Sequence, residues 1–290
     1  MNGWIFIDKP KNITSFKVIK RLKKVLNIKK IGHTGTLDPF ATGILAIALG
    51  EATKSIRYLN QDKVYKFNVV FGELKDTDDV TGKTIKKSNI VPTSSEIDQC
   101  IEKFIGKHRQ IPPQFSAVKV NGKRAYKLAR NNQKFELKAK DVFIKSFECL
   151  GSKNKNEYSF IMKCSTGTYV RSVARDLGKM LGTYAYVSEL RRVKIGKIEE
   201  KDIILLDKFE ELVHIGDHFE VMHSIRDVLD DIPAVLIDQE LSRKFRNGLS
   251  FEYFSKKSEN DYLLIETNTK FVGIGKAIEG KIKPVRVFNL

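Results

Sequence analysis

Cysteine is nearly absent. Cys100, Cys149 and Cys164 are the only three in 290 residues and lie far apart. No Cys-x-x-Cys or Cys/His ligand spacing occurs, which argues against structural zinc and against a disulfide framework. Such usage fits a reducing cytoplasm, where we expect the chain to work. Long apolar runs are missing too. Trp4-Ile5-Phe6-Ile7 is too short for the core of a signal peptide, and nothing approaches a membrane span. Repeats and low-complexity segments are absent. Acidic residues are under-supplied: 35 Asp and Glu face 52 Lys and Arg, a net charge of +17. What is present is a globular composition, 41% hydrophobic and 10% aromatic, enough for a core of one large domain or two. A globular chain this basic is suited to a polyanionic partner, nucleic acid first. Residues 1–232 carry 42 basic and 28 acidic side chains, net +14, against 10 and 7 on residues 233–290.

The chain is organised around Gly32-His33-Thr34-Gly35-Thr36-Leu37-Asp38-Pro39-Phe40-Ala41-Thr42-Gly43-Ile44-Leu45. Three glycines and a proline exclude both a regular helix and a central strand. Proline pushes Asp38 toward an extended conformation. The expected result is a stiff loop presenting one carboxylate, followed by a buried strand, Ile44–Leu49. By spacing alone an ordinary turn, its aspartate bonded to its own backbone, is the favoured reading.

Elsewhere, Trp4–Ile7 reads as a strand and Ser15 as the cap of a helix to Leu26. Val18, Ile19, Leu22, Val25 and Leu26 form its apolar face, and Lys17, Lys20, Arg21, Lys23 and Lys24 its basic one. Glu51–Leu59 reads as a short helix and Val64–Phe71 as a strand. Gly72–Gly82 reads as a hairpin end whose Asp76, Asp78 and Asp79 are solvated, since they lack the spacing of a calcium loop. Thr93-Ser94-Ser95-Glu96 is a capping box opening a helix to about Phe104. Asn121-Gly122 marks a hairpin, ahead of a basic helix over Arg124–Arg130. Val142–Leu150 and Tyr158–Cys164 read as strands, followed by a helix to Leu181 and a strand from Glu189. The mixed order argues for α+β with a largely antiparallel sheet. A boundary falls at Asp230-Asp231-Ile232-Pro233. Beyond it lie strand-like runs (Asp261–Glu266, Phe271–Ala277, Lys283–Phe288) and a helix at Asp238–Phe245.

The 32–45 string closely resembles the G-H-x-G-x-L-D-P-x-A-x-G-x-L signature of TruB-type tRNA pseudouridine synthases. Asp8-Lys9-Pro10-Lys11-Asn12-Ile13-Thr14-Ser15 resembles the family's entry motif, with Asn12 in place of the usual glycine; Asn tolerates the same left-handed turn. Gln110–Tyr126, Gly167-Thr168-Tyr169-Val170-Arg171 and Leu190-Arg191-Arg192 resemble three further family segments in the right order. The resemblance implies a pseudouridine-synthase catalytic domain over 1–232 and a small PUA-like RNA-binding β-barrel over 233–290. It also implies isomerisation of uridine 55 in the T arm of tRNA on a flipped-out base, by a monomer needing neither metal nor cofactor. Asp38 is then the catalytic carboxylate, Arg171 its partner, and Tyr65 the aromatic that stacks on the target base. His33 becomes a stacking or wedge residue, and Tyr169 and Leu190 line the pocket. Breaking a nucleosidic bond needs something to manage positive charge at the sugar, which suits a carboxylate. Taken without the resemblance, Arg171 reads as a surface residue beginning a helix and Tyr65 as core. The N-terminal basic helix, Lys119–Arg130 and Arg191-Arg192 are candidate phosphate contacts. A synthase for another RNA, an RNA-binding tRNA folding factor and a glycosidase are the alternative functions.

Overall fold

The computed structural model describes residues 1–59, 62–253 and 261–290. Ten strands form the main sheet: β1 (Gly3–Lys9), β2 (Ile31–His33), β3 (Thr42–Leu49), β4 (Lys63–Phe71), β5 (Gly106–Gln110), β6 (Lys140–Asn154), β7 (Glu157–Cys164), β8 (Ala185–Ile195), β9 (Ile198–Glu199) and β10 (Ile204–Leu205). Their order is β10-β1-β3-β8-β4-β7-β6-β5, with β2 on β3 and β9 on β8. Only β1/β10 and β3/β8 are parallel, so the sheet is mixed and largely antiparallel as expected.

The continuous apolar runs in β1 and β3 follow from burial on both faces. Ile5, Ile7, Leu45, Ile47 and Leu49 point toward the helices Ser15–Val25 and Leu206–Ile215, meeting Val18, Leu22 and Phe209. Their alternates Trp4, Phe6, Ile44, Ala46 and Ala48 join the opposite core with Leu264, Phe271, Ile274 and Phe288 from the C-terminal segment. In β4 one face is buried through Tyr65, Phe67, Val69 and Phe71, under the helices Ser94–Ile101 and Val170–Met180.

The two halves of the sheet meet at a short seam. Strands β3 and β8 pair only at Thr42–Arg191 and Gly43–Arg192. Gly43 therefore lies inside a central strand, contrary to the reading of the glycines, because nothing else fits. Its φ is +97°, and a Cβ there would sit 2.3 Å from the Arg192 carbonyl oxygen. Gly32 is likewise within a strand, β2, which leaves residues 34–41 as the loop proper.

Local signals fared well elsewhere. The Thr93/Glu96 capping box forms, and Asn121 and Gly122 turn a hairpin with φ of +49° and +81°. The first helix is capped by Thr14 rather than Ser15: the Thr14 hydroxyl accepts from the Lys17 amide, and Ser15 is buried for another purpose. The C-terminal segment is a curled five-stranded sheet of Ala234–Leu236, Tyr262–Glu266, Phe271–Ile278, Lys281–Val287 and Phe251–Glu252, with the helix Gln239–Arg246 capped by Asp238. Among the described residues no helix is long and apolar enough to cross a membrane, and no cluster of His, Cys, Asp and Glu could hold a metal.

Candidate active site at the sheet seam

The entry segment 8–15 splints the loop. Ser15 Oγ accepts from the Leu37 amide at 2.9 Å and donates to the Leu37 carbonyl at 3.1 Å. The Asn12 amide, presented by a left-handed φ of +63°, donates to the Pro39 carbonyl at 2.8 Å. Lys9 is fully buried, its Nζ donating to the carbonyls of Pro10, Ile13 and Pro39. Burial brings its pKa down to about 8, against the pull of Asp38. Residues 37–39 are thus held from one side by three different side chains or amides, and only the Asp38 carboxyl projects. Its side chain stays 28% exposed.

Arg171 faces Asp38. It opens the helix Val170–Met180 yet is only 3% exposed, so it is no surface residue. Its Nη2 donates to Asp38 Oδ1 at 2.7 Å and to the Phe115 carbonyl at 3.1 Å, and its Nη1 to the Thr77 carbonyl at 2.9 Å. On the far side Nη1 lies 3.4 Å from Asp79 Oδ2. Asp79 is the residue the sequence reading missed. Both Asp78 and Asp79 are buried, so the hairpin end is not solvated: it folds back, bridging to Val187 of β8. Asp79 Oδ1 is taken up by the Thr77 hydroxyl and the Thr81 amide. Three acids crowded into a turn of a basic chain was the available signal, and it resembles ordinary turn chemistry.

Burial pushes the Asp38 carboxyl above its ordinary value; Arg171 opposes this, Asp79 adds to it, and Lys9 opposes it again. Tyr65 is buried on β4 opposite Arg192, and burial raises its phenol further from ionisation, with the Arg192 charge opposing the shift. Tyr169 caps the 170–180 helix. Its amide donates to Gln110 Oε1 at 2.7 Å, and burial followed by the nearby Asp38 charge raises its phenol. Leu190 pairs with Phe67 across β8 and β4, in the same apolar cluster as Tyr65, Leu37 and Phe40. Asp38, Arg171, Tyr65, Tyr169 and Leu190 therefore share one neighbourhood. His33 sits at the other end of the loop, its Nδ1 accepting from the Gly35 amide at 3.2 Å. Burial lowers its pKa, with Arg192 adding to the shift.

Two expected phosphate contacts are structural instead. Arg192 is fully buried, donating to the carbonyls of Ile44 at 2.8 Å and Gly35 at 3.1 Å. Arg191 is committed to Asp8 through two bonds and to Glu200. They close the seam. By contrast Lys17, Lys20, Lys23 and Lys24 are exposed, as are Lys119, Lys123, Arg124, Lys127 and Arg130.

The TruB family pseudouridylate synthase (N terminal domain) pattern matches residues 23–170. The tRNA pseudouridylate synthase B C-terminal domain pattern matches residues 171–236, and that of the pseudouridine synthase II TruB C-terminal region matches residues 233–288. The chain is 46% identical to the tRNA pseudouridine synthase B of Ehrlichia ruminantium (strain Gardel), each covered in full. It is 37% identical to that of Caulobacter vibrioides, covering all of this chain and 97% of the relative. A solved Cbf5–Nop10–Gar1 complex contains a chain of the same fold, with a TM-score of 0.75 at 25% identity over 99% of this chain and 84% of the other.

Proposed function

The chain belongs to the TruB family of pseudouridylate synthases, and on that premise we propose that it isomerises uridine 55 in the T arm of tRNA to pseudouridine, with Asp38 as the catalytic carboxylate. The observation that carries this reading is the Asp38–Arg171 contact: one carboxylate, fixed on a splinted loop, held by a buried guanidinium and still open to solvent. Asp38 attacks the sugar, attacks the base, or assists a glycal-forming elimination. Tyr65 provides the stacking face, Tyr169 and Leu190 line the pocket, and His33 meets the RNA displaced by flipping. A duplex or folded loop must release the target base, and stacking and phosphate contacts offset that cost. The enzyme works as a monomer in the cytoplasm without metal or cofactor, residues 1–232 carrying the chemistry and 233–290 gripping RNA. A hydrolytic glycosidase would need two carboxylates facing a gap. Among the described residues Asp79 is the only other acid on Arg171, and its oxygens are already taken by Thr77, Thr81 and Arg171. The direct test is to map pseudouridine in tRNA from cells with and without this protein; an unchanged T arm would overturn the proposal.

Asp38 must be ionised to act. Its pKa is raised, so the rate is full above that value and is lost as pH falls through it. The acid limb of the single-turnover rate should therefore lie above the ordinary value of 3.8. Removing the main opposing charge with Arg171→Gln should move the limb of the residual activity to higher pH. A limb that stays in place would show that Arg171 does not govern Asp38.

The +14 excess on residues 1–232 predicts binding dominated by phosphate contacts. Six such contacts would cost about 10³-fold in tRNA affinity between about 50 and 200 mM salt. Affinity unchanged across that range would count against a phosphate-dominated interface.

A further inference from the structure

The hairpin end that brings Asp79 to Arg171 is held by a second ion pair one helical turn away. Asp78 Oδ2 lies 3.1 Å from Arg175 Nη1, so two consecutive aspartates meet two arginines spaced i and i+4 on the helix Val170–Met180. Arg175 also donates from Nη2 to the Ile111 carbonyl at 2.9 Å, and Ser172 Oγ donates to the same carbonyl at 2.8 Å. The Gln110–Phe115 segment is the one whose Phe115 carbonyl receives Arg171 and whose Gln110 bonds the Tyr169 amide. Arg175 therefore ties together the two loops that flank the Asp38 partner.

We propose that Asp78 and Arg175 form a positioning latch, which fixes the 76–82 turn and the 110–115 segment on the helix so that Arg171 is presented to Asp38 in one orientation. The proposal rests on the synthase reading above. Three features of Asp78 support it. Its carboxyl is nearly buried, its backbone is left-handed at φ +59°, and its carbonyl accepts the Val187 amide of β8. A non-glycine residue in that conformation costs stability unless its surroundings hold it. Two of the groups that hold the Arg171 guanidinium, the Thr77 and Phe115 carbonyls, lie on the two segments that Asp78 and Arg175 join.

Burial pushes Asp78 up to about 6. The charged groups facing it are Arg175 and Arg171, which oppose the rise, and Asp176, which adds to it. On its own hairpin, Asp76 is turned to the Lys83 amide and Asp79 to Thr77, Thr81 and Arg171; the 110–115 segment and β8 offer Asp78 and Arg175 only backbone groups. With a raised pKa, the ionised latch is present above about pH 6 and is lost as pH falls through it, and ionisation of Asp78 lowers fold stability.

Asp78→Asn keeps the size and the left-handed tolerance while removing the charge. At pH 7.5 it should slow single-turnover pseudouridine formation about tenfold, with tRNA affinity unchanged and no loss in melting temperature beyond a few degrees. Its pH–rate profile should lack the wild-type inflection near pH 6 and keep only the Asp38 limb. Arg175→Met should match it, Arg175→Lys should recover part of the rate, and the double variant should be no slower than either single one. Wild-type rate and pH profile in Asp78→Asn, additive losses in the double variant, or a slowing wholly explained by a collapsed melt would each overturn the latch. Failure of the underlying reading looks different, because the wild-type protein would then make no pseudouridine in the T arm.

Discussion

Asp38→Asn is expected to abolish pseudouridine formation, by about 10⁴-fold or more, the scale on which enzymes lose an essential group. tRNA affinity should change by less than about tenfold, ~1.4 kcal/mol. The two effects separate because binding is spread over many basic side chains, such as the exposed Lys17, Lys20 and Lys24, whereas the chemistry converges on one oxygen pair. The amide can still accept from Arg171 Nη2, which lies 2.7 Å from Oδ1 in the wild type, and the loop is held through Leu37 and Pro39 rather than through the carboxylate. The Asn variant should therefore melt like the parent, and its inactivity will be chemical. Asp38→Glu should fail nearly as badly. The added methylene carries the oxygens out of a geometry set by Ser15, Asn12 and Lys9 behind the loop and Arg171 in front. The measurement is a single-turnover assay on unmodified tRNA, paired with a binding titration; an active Asn variant would remove Asp38 from the mechanism.

How much of this was legible beforehand depended on how local the physics was. The capping box at Thr93, the Asn121-Gly122 hairpin and the two-sided burial of Ile44–Leu49 are decided within a few residues, and the structure has all three. The Asp38 loop was legible as a motif, but its rigidity was not. The groups that splint it come from residues 8–15, and Ser15 is withdrawn from capping to serve Leu37. Asp78 and Asp79 were misread because a turn rich in acids is normally solvated; their partners Arg171 and Arg175 are about ninety residues away. Arg191 and Arg192 misled in the opposite sense. Two adjacent arginines suggest an RNA surface, yet the parallel seam with β3 buries Arg192 against backbone carbonyls and leaves Arg191 to Asp8 and Glu200. Charge counts locate a polyanion-binding face only after internal ion pairs are known.

The second large effect concerns a chain ending at Ile232. A division of labour in which residues 233–290 merely grip distal RNA predicts that such a chain keeps its single-turnover rate, since His33, Asp38, Tyr65, Tyr169, Arg171 and Leu190 all precede the cut. The packing predicts a cost first. Leu264, Phe271, Ile274 and Phe288 lie in the same buried cluster as Trp4, Phe6 and Ile44 of β1 and β3. Polar ties cross as well: Lys54 Nζ to the Val287 carbonyl at 3.0 Å, the Asn289 amide to Glu51 Oε2 at 3.1 Å, and Arg226 to Glu266 at 2.9 Å. Exposing even two large side chains costs about 3–6 kcal/mol, which for a body of this size lowers the melting temperature by about 6–24 °C. Strands β1 and β3 carry the entry segment and the Asp38 loop, so loosening them reaches the catalytic carboxylate without removing any pocket residue. The truncated chain should therefore show a lowered melt and, at temperatures where it is folded, weaker tRNA binding with a largely retained rate. Phe288→Ala in the full chain isolates the packing contribution, with an expected loss of about 3–5 kcal/mol and undiminished chemistry below its melt. A truncation that melts like the parent would make the C-terminal segment an independent body. A folded truncation that binds tRNA normally but has lost its rate would place that segment in the active site.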